Sequence, residues 1–188
     1  NHVAVDDDAA QRVAATSQGN PFYLTELAAH LGRGGDHVET PPSIRELIAA
    51  QHAALSKRAQ RVLLVIALFE ARATTSRVTQ VLELPAGEFM AALDELEEAG
   101  LVGAKGPTVW CRHRLVGEMS ASWGRPCVVA FARGRSAALL EADADATNSV
   151  ELLGDCVTHW ERAGETRRAY EAAMKLGHRL VGMGMGEE

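Results

Sequence analysis

Apolar side chains recur every three to four positions along most of the chain, and this spacing predicts helices. Residues 9–16 form a short helical segment, and a second helix follows with Phe22, Leu24, Leu27, Ala28 and Leu31 on one face. Between them, Gly19 can end the first helix, Asn20 can cap the second, and Pro21 suits its first position because proline has no N–H to leave unpaired. The polar, glycine-rich residues 32–40 predict a linker and a domain boundary.

Residues 41–123 show the pattern of a compact helical domain with a small hairpin. Helices are predicted over residues 43–55, 56–69, about 75–82 and 86–99, and the second should be almost fully buried. The first has the apolar stripe Ile44, Leu47, Ile48 and Leu55. Glu83-Leu84-Pro85 is so short a connection that helices three and four indicate a helix-turn-helix. Strands at 101–104 and 108–112 flank Lys105-Gly106-Pro107 and predict a β-hairpin, so the whole pattern is that of a winged helix.

The last third of the chain is predicted to be helical with two breaks. Helices should cover residues 113–123 and 126–141, a polar turn residues 143–148, and two further helices residues 149–163 and 166–181. Apolar positions in the last pair are spaced like one tetratricopeptide unit: Leu152, Trp160, Ala163, Ala169, Tyr170, Ala173 and Leu176. One such unit cannot bury its own face, so we expect further repeats after it and interpret the chain as a piece of a longer protein.

Composition limits the classes of function. The 188 residues are 47% hydrophobic and 23% charged with a net charge of -6, which opposes binding to phosphate backbones. Three cysteines without CxxC spacing indicate neither a disulfide framework nor a zinc site, and no apolar run reaches the ~18 residues of a membrane span, so we expect a cytoplasmic protein without membrane contact. The chain has no GxxxxGK motif and no HExxH motif, so we assign no catalytic residue and no metal ligand.

Four stretches, in this order, resemble the region that follows the ATPase core in STAND-class signalling NTPases, which include large LuxR-type regulators and predicted ATPases with tetratricopeptide repeats. They are residues 19–27 (GNPFYLTEL), 42–48 (PSIRELI), 92–101 (ALDELEEAGL) and 112–118 (RHRLVGE). Residues 159–164 (HWERAG) are similar to the start of the repeats. Gly117 departs from the family pattern, which has a longer and often basic residue there, and residues 123–135 match it loosely.

The resemblance implies a mainly α fold in three parts: the tail of a helical lid at 1–35, a winged helix at 41–123, and a linker helix with the first repeat at 126–188. It also implies a regulatory part of a transcription-regulating signal-transduction protein that clamps ADP in the resting state. Gly19 and Pro21 would belong to the nucleotide-binding site, with Pro21 near the adenine and sugar, and His113 would contact the phosphates. ATP or ADP with Mg²⁺ would be bound in the longer protein and no cofactor in this chain alone. The partner would be the protein's own ATPase core, with an effector on the repeats.

Simpler interpretations stay open for these residues. Asn20-Pro21 can be a helix start only, and His113 can be a partly buried histidine bonded to a backbone carbonyl. A DNA-binding winged helix is a second function, but residues 78–104 contain no Lys or Arg, whereas groove binding draws on cations at the phosphates. A protein-binding helical scaffold is a third.

Overall fold

The computed structural model of the chain describes residues 24–25 and 42–184, with side chains from residue 44 in the longer range. This part is mainly helical, at 80% helix, with a small two-stranded antiparallel sheet. Its helices are α1 (Pro42–Ala54), α2 (Lys57–Phe69), α3 (Thr75–Leu82), α4 (Ala86–Glu98), α5 (Arg114–Trp123), α6 (Pro126–Thr147), α7 (Val150–Arg162) and α8 (Thr166–Gly184). The strands are β1 (Val102–Lys105) and β2 (Thr108–Cys111), and a 3-10 turn at Glu70–Arg72 follows α2.

Side-chain caps fix where three of the helices begin. Ser56 accepts a hydrogen bond from the Ala59 amide at the start of α2, at 3.1 Å. Thr74 accepts a hydrogen bond from the Arg77 amide at the start of α3, at 3.2 Å. Ser149 accepts one from the Leu152 amide at the start of α7. Such caps satisfy amides that have no partner within the helix, which is why these starts could be predicted from sequence.

Helix α2 forms the centre of the core. Its residues Ala59, Val62, Leu63, Leu64, Val65, Ile66, Leu68 and Phe69 are buried. It packs against α3, α4, α5, α6 and strand β2, so apolar side chains on nearly all of its faces find a neighbour. The prediction that this helix is almost fully buried holds for residues 62–69, whereas Lys57, Arg58 and Arg61 nearer its start are exposed. The same hydrophobic cluster continues from Ile44 in α1 to Ala172 in α8, so all described helices share one core.

The hairpin is joined to the start of α3. β1 and β2 pair with Gly103 opposite Trp110, and a Cβ on Gly103 would lie 2.9 Å from the indole. The glycine therefore lets the indole lie across the neighbouring strand. Thr74 forms a β-bridge with Thr108 on the outer side of β2, and the Val109 amide donates to the carbonyl of Ala73 at 3.2 Å.

The prediction of a polar turn at residues 143–148 is wrong, because α6 continues to Thr147 and ends at Asn148 in the left-handed conformation, at φ 54°. The polar residues of this segment have charged partners on neighbouring helices. Asp143 pairs with Arg77 of α3 at 2.6 Å, and Asp145 pairs with Lys175 and Arg179 of α8. Charged side chains that alternate with alanine therefore continue the helix and hold it to two others.

Three apolar positions predicted to pack in the core are exposed. Leu47 is 37% exposed, whereas Ile44 and Ile48 of the same helix are buried, so the apolar stripe of α1 is narrower than its composition suggests. Tyr170 is 65% exposed on α8, and Ala173 is exposed beside it. Both belong to the outer face of α8, which no described element covers. No helix in the described ranges is long and apolar enough to cross a membrane.

The Arg77–Asp143 pair predicts a measurable contribution to stability. Replacing Asp143 with Ala should lower the free energy of unfolding by about 1 kcal/mol, because Arg77 donates to this carboxylate through Nε and Nη2 and is itself only 18% exposed, while solvent at the carboxylate reduces the gain. Asp94→Ala in α4 is the matched control, since its exposed carboxylate has no ion pair among the described residues. Thermal melts measure both. Equal melting temperatures for the two variants would show that the pair contributes nothing.

Candidate functional site

A cleft of about 470 Å³ opens where the end of α2, strand β2 and helices α5, α6 and α7 meet. Its apolar wall consists of Ile66, Ala67, Ala71, Trp110, Cys111, Gly117 and Ala121, and its charged residues are Glu70, Arg114, Glu118, Arg133 and Arg162. A mostly apolar wall with a few charged groups and this volume are typical of small-molecule sites.

Gly117 leaves space at the opening of this cleft because it has no side chain. A Cβ at this position would lie 3.6 Å from Sγ of Cys111 and 3.7 Å from Cβ of Ala67, so a longer side chain would extend over the opening. Burial raises the pKa of the Cys111 thiol to about 12. The thiol is therefore protonated at neutral pH and forms part of the wall, not a nucleophile.

Among the described residues, two guanidinium groups at the cleft have no carboxylate within 4 Å. Arg114 pairs with Glu118 at 3.0 Å along α5. Arg133 of α6 and Arg162 of α7 form no side-chain hydrogen bond or ion pair with any residue in the described part of the chain. Burial and, second, the positive charge of Arg162 lower the pKa of Arg133, while the Glu70 carboxylate raises it. The two arginines are thus close enough to repel each other.

Glu70 stands at the rim of the cleft in a backbone conformation that favours glycine, with φ 50° and ψ -123°. Its amide donates to the carbonyl of Ile66, which ends α2. Non-glycine residues in such conformations cost about 1–3 kcal/mol and are concentrated at functional sites. The strained backbone of Glu70 therefore indicates a functional role for this end of α2.

His113 lies at the N-terminal end of α5, as predicted, but it is the residue before the first turn and not part of the helix. Its backbone is extended, with φ -135° and ψ 137°, and its side chain does not cap the helix. Burial and then the positive charge of Arg112 lower its pKa. A lowered pKa favours the neutral imidazole at pH 7. His113 is absent from the walls of the cleft, although its neighbour Arg114 lines it.

Gly19 and Pro21 lie outside the residues that the structure describes. Their position beside a nucleotide, and their distance from His113, therefore stay predictions.

His159 of α7 lines a hollow next to the cleft. The sequence did not predict it as a site residue, because there it stood out only at the start of the repeat-like residues 159–164. It is 6% exposed, its ring lies 5.9 Å from that of Phe69, and its Nδ1 has no hydrogen-bond partner in the described part of the protein. It lines a second hollow, of about 370 Å³, that shares Glu70, Ala71 and Arg162 with the cleft. Burial lowers the pKa of His159 to about 4; Arg133 and Arg162 also lower it, while Asp155 raises it.

The surface of α4 is acidic. Asp94, Glu97 and Glu98 are exposed on it, and Glu88 is paired with Arg58 at 2.9 Å. The nearest basic residue after the helix is Lys105, at the hairpin turn. An anionic face of this kind repels the phosphates of a DNA duplex.

Within the described residues, no three histidine, cysteine or acidic side chains are grouped so that they could hold a metal ion. Comparison with known protein families, with curated proteins and with solved structures finds no match to this chain. The function is therefore argued from the residues themselves.

The pKa of His159 predicts how stability depends on pH. Because its folded pKa lies below the unfolded value of 6.5, the unfolded state binds more protons between pH 6.5 and about 4, so stability falls as the pH falls through this window and is constant above it. His159→Leu should remove the largest part of this loss. His52 and His113, whose pKa values are also lowered, should leave a smaller loss of the same sign.

Chemical denaturation at pH 4.5 and 7 measures the effect. His178→Gln, which removes an exposed histidine of α8, controls for the number of histidines. The assignment is wrong if His159→Leu loses as much stability on acidification as the original chain.

Proposed function

We propose that this chain is a regulatory part of a nucleotide-switched signalling ATPase of the STAND class, in which a winged helix clamps bound ADP in the resting state. The observation that carries the proposal is the position of His113, which directly follows the hairpin and stands at the start of α5. Hydrolysis would belong to an ATPase core elsewhere in the longer protein, because this chain has no phosphate-binding loop.

The order and contacts of the elements support a winged helix. Helices α3 and α4 are separated by three residues, with Glu83 in the left-handed conformation at φ 52°. The hairpin follows α4, and a single β-bridge between Thr74 and Thr108 joins it to the residue before α3. A central buried helix, a helix-turn-helix and a small sheet are the parts of that fold.

The chemistry at His113 suits contact with a diphosphate. The N-terminus of a helix offers unpaired amides and a partial positive charge to an anion. Arg112 and Arg114 add positive charge on either side, although the Arg112 guanidinium is partly engaged by the carbonyl of Val102 at 2.7 Å. A phosphate there would favour the charged imidazole, raise its pKa and gain a second hydrogen-bond donor.

Helices α7 and α8 fit the first unit of a tetratricopeptide array in this proposal. They pack against each other across Gly164, at φ 80°, and bury Trp160, Ala169 and Ala172 between them and α6. The outer face of α8 exposes Tyr170, Met174 and Val181, and Leu180 and Met183 are also exposed near the end of the helix. A following repeat would cover such a face, because each repeat buries the apolar surface of its neighbour.

That exposed face also favours a second candidate function, a helical scaffold that binds a protein through α8 and needs no nucleotide. The two functions differ in what they require of His113. The ADP clamp needs its imidazole, whereas the scaffold does not.

Replacing His113 with Ala in the longer protein should weaken the binding of ADP and shift the switch towards its active state. A charge-assisted hydrogen bond to phosphate contributes about 1.5–3 kcal/mol, so its loss should lower the affinity for ADP roughly tenfold to a hundredfold. Since the contact exists only in the closed state, that state alone loses stability. Chromatography of the nucleotide released from the purified proteins measures the effect, and a thermal melt measures stability.

His178→Ala is the matched control, because it removes an exposed histidine far along α8. If the His113 variant retains as much ADP as the control but melts several degrees lower, His113 is a structural histidine and the clamp is refuted.

A further inference from the structure

We propose that the cleft between α2, β2, α5, α6 and α7 binds a small organic anion, with its carboxylate or phosphate on Arg133 and Arg162 and its apolar body against Trp110 and Gly117. This inference does not rest on the ADP clamp, because His113 does not line the cleft. It concerns a ligand site of the isolated chain.

The electrostatics of the cleft favour an anion. Two neighbouring arginines do have carboxylate partners: Arg135, also on α6, pairs with Glu83 at 2.6 Å, and Arg72 on the turn after α2 pairs with Asp155 of α7 at 2.9 Å. Arg133 and Arg162 have none in the described residues, although they are near enough for Arg162 to lower the pKa of Arg133. An anion between them would remove this repulsion. Guanidinium groups are also the side chains best suited to hold carboxylate and phosphate.

Glu70 is the acidic residue that could neutralise the pair. It lines the same cleft but forms no ion pair with either arginine within 4 Å among the described residues. Its backbone is held in a strained conformation at the end of α2, at φ 50°. With two guanidinium groups facing one unpaired carboxylate, the site keeps a positive charge in a chain whose net charge is -6.

The wall opposite the arginines is suited to an apolar or aromatic body. Trp110 is 38% exposed and lines the cleft, and its indole packs against Gly103 of the neighbouring strand. Gly117, Ala67 and Ala121 have little or no side chain, so they leave space beside the indole. Aromatic rings gain from contact with such a surface beyond simple burial. An inorganic ion would use only the charged half of the site.

The test uses phenyl phosphate and benzoate as probes of the two anionic groups, with inorganic phosphate and benzyl alcohol as probes of each half alone. Calorimetry gives the affinity, and tryptophan fluorescence reports on Trp110. We expect saturable binding of phenyl phosphate, benzoate or both, at least about tenfold tighter than either half probe, because charge-assisted bonds and ring contacts then act together. The tighter binder of phenyl phosphate and benzoate shows whether the site prefers a phosphate or a carboxylate. The fluorescence change should vanish in Trp110→Phe while calorimetric binding persists in weakened form.

Variants locate the site. Arg162→Met should weaken the aromatic anion about tenfold or more, and it removes an exposed side chain, so folding is preserved. Arg61→Met on α2 is the matched control, an exposed arginine outside the cleft without an ion pair among the described residues. Gly117→Leu should abolish binding without a change of charge, because its side chain fills the opening. Glu70→Gln should strengthen binding.

The proposal is overturned if neither aromatic anion binds in the millimolar range. It is also overturned if Arg162→Met and Arg61→Met weaken binding equally, or if inorganic phosphate binds as tightly as phenyl phosphate. Weaker binding of the aromatic anion by Glu70→Gln would show that the Glu70 carboxylate helps to hold the ligand and does not repel it, which contradicts the proposal as well.

Discussion

The structure depends on the burial of α2. A helix that is apolar on nearly all of its faces can be stable in water only when other elements surround it, and α2 is enclosed by α3, α4, α5, α6 and β2. Each buried aliphatic side chain on it contributes about 1.5–3 kcal/mol. The candidate site follows from the same constraint, because the cleft opens where α2 ends and its covering helices diverge around Ile66, Ala67 and Glu70.

The two proposals meet on α5. The N-terminal end of this helix presents His113, and the face that carries Arg114, Gly117, Glu118 and Ala121 lines the cleft. A ligand in the cleft would therefore contact the helix whose start is proposed to sense ADP. Two sites on one rigid element are coupled when a ligand at one site shifts the position of that element. This arrangement offers a route by which an effector could change the affinity for nucleotide.

Local signals made most of the helices predictable. Ser56, Thr74 and Ser149 cap their helices through contacts within three residues, and Pro126 and Gly164 mark a start and a turn that sequence alone reveals. The predicted turn at 143–148 was wrong because the partners of its aspartates are distant in sequence: Arg77 lies 66 residues away. The spacing of Leu47 suited a core position, but Leu47 is exposed while Ile44, Ile48 and Leu55 of the same stripe are buried.

The candidate site was harder to predict than the fold. His113 could be singled out because it lies between a predicted hairpin and a predicted helix. The cleft could not, because its walls come from α2, β2, α5, α6 and α7, and no sequence pattern links them. Arg133 and Arg135 look alike in the sequence, yet Arg135 is paired with Glu83 whereas Arg133 is unpaired within the described residues. Only the packing of α6 on its neighbours separates their roles.

The ADP clamp is tested most directly by the pKa of His113 itself, measured by nuclear magnetic resonance in the longer protein with and without ADP. Without nucleotide, burial and Arg112 should hold this pKa below the usual value for histidine. A diphosphate within hydrogen-bonding distance favours the charged imidazole, so saturating ADP should raise the pKa of His113. A His113 pKa that does not move when ADP binds would contradict the clamp.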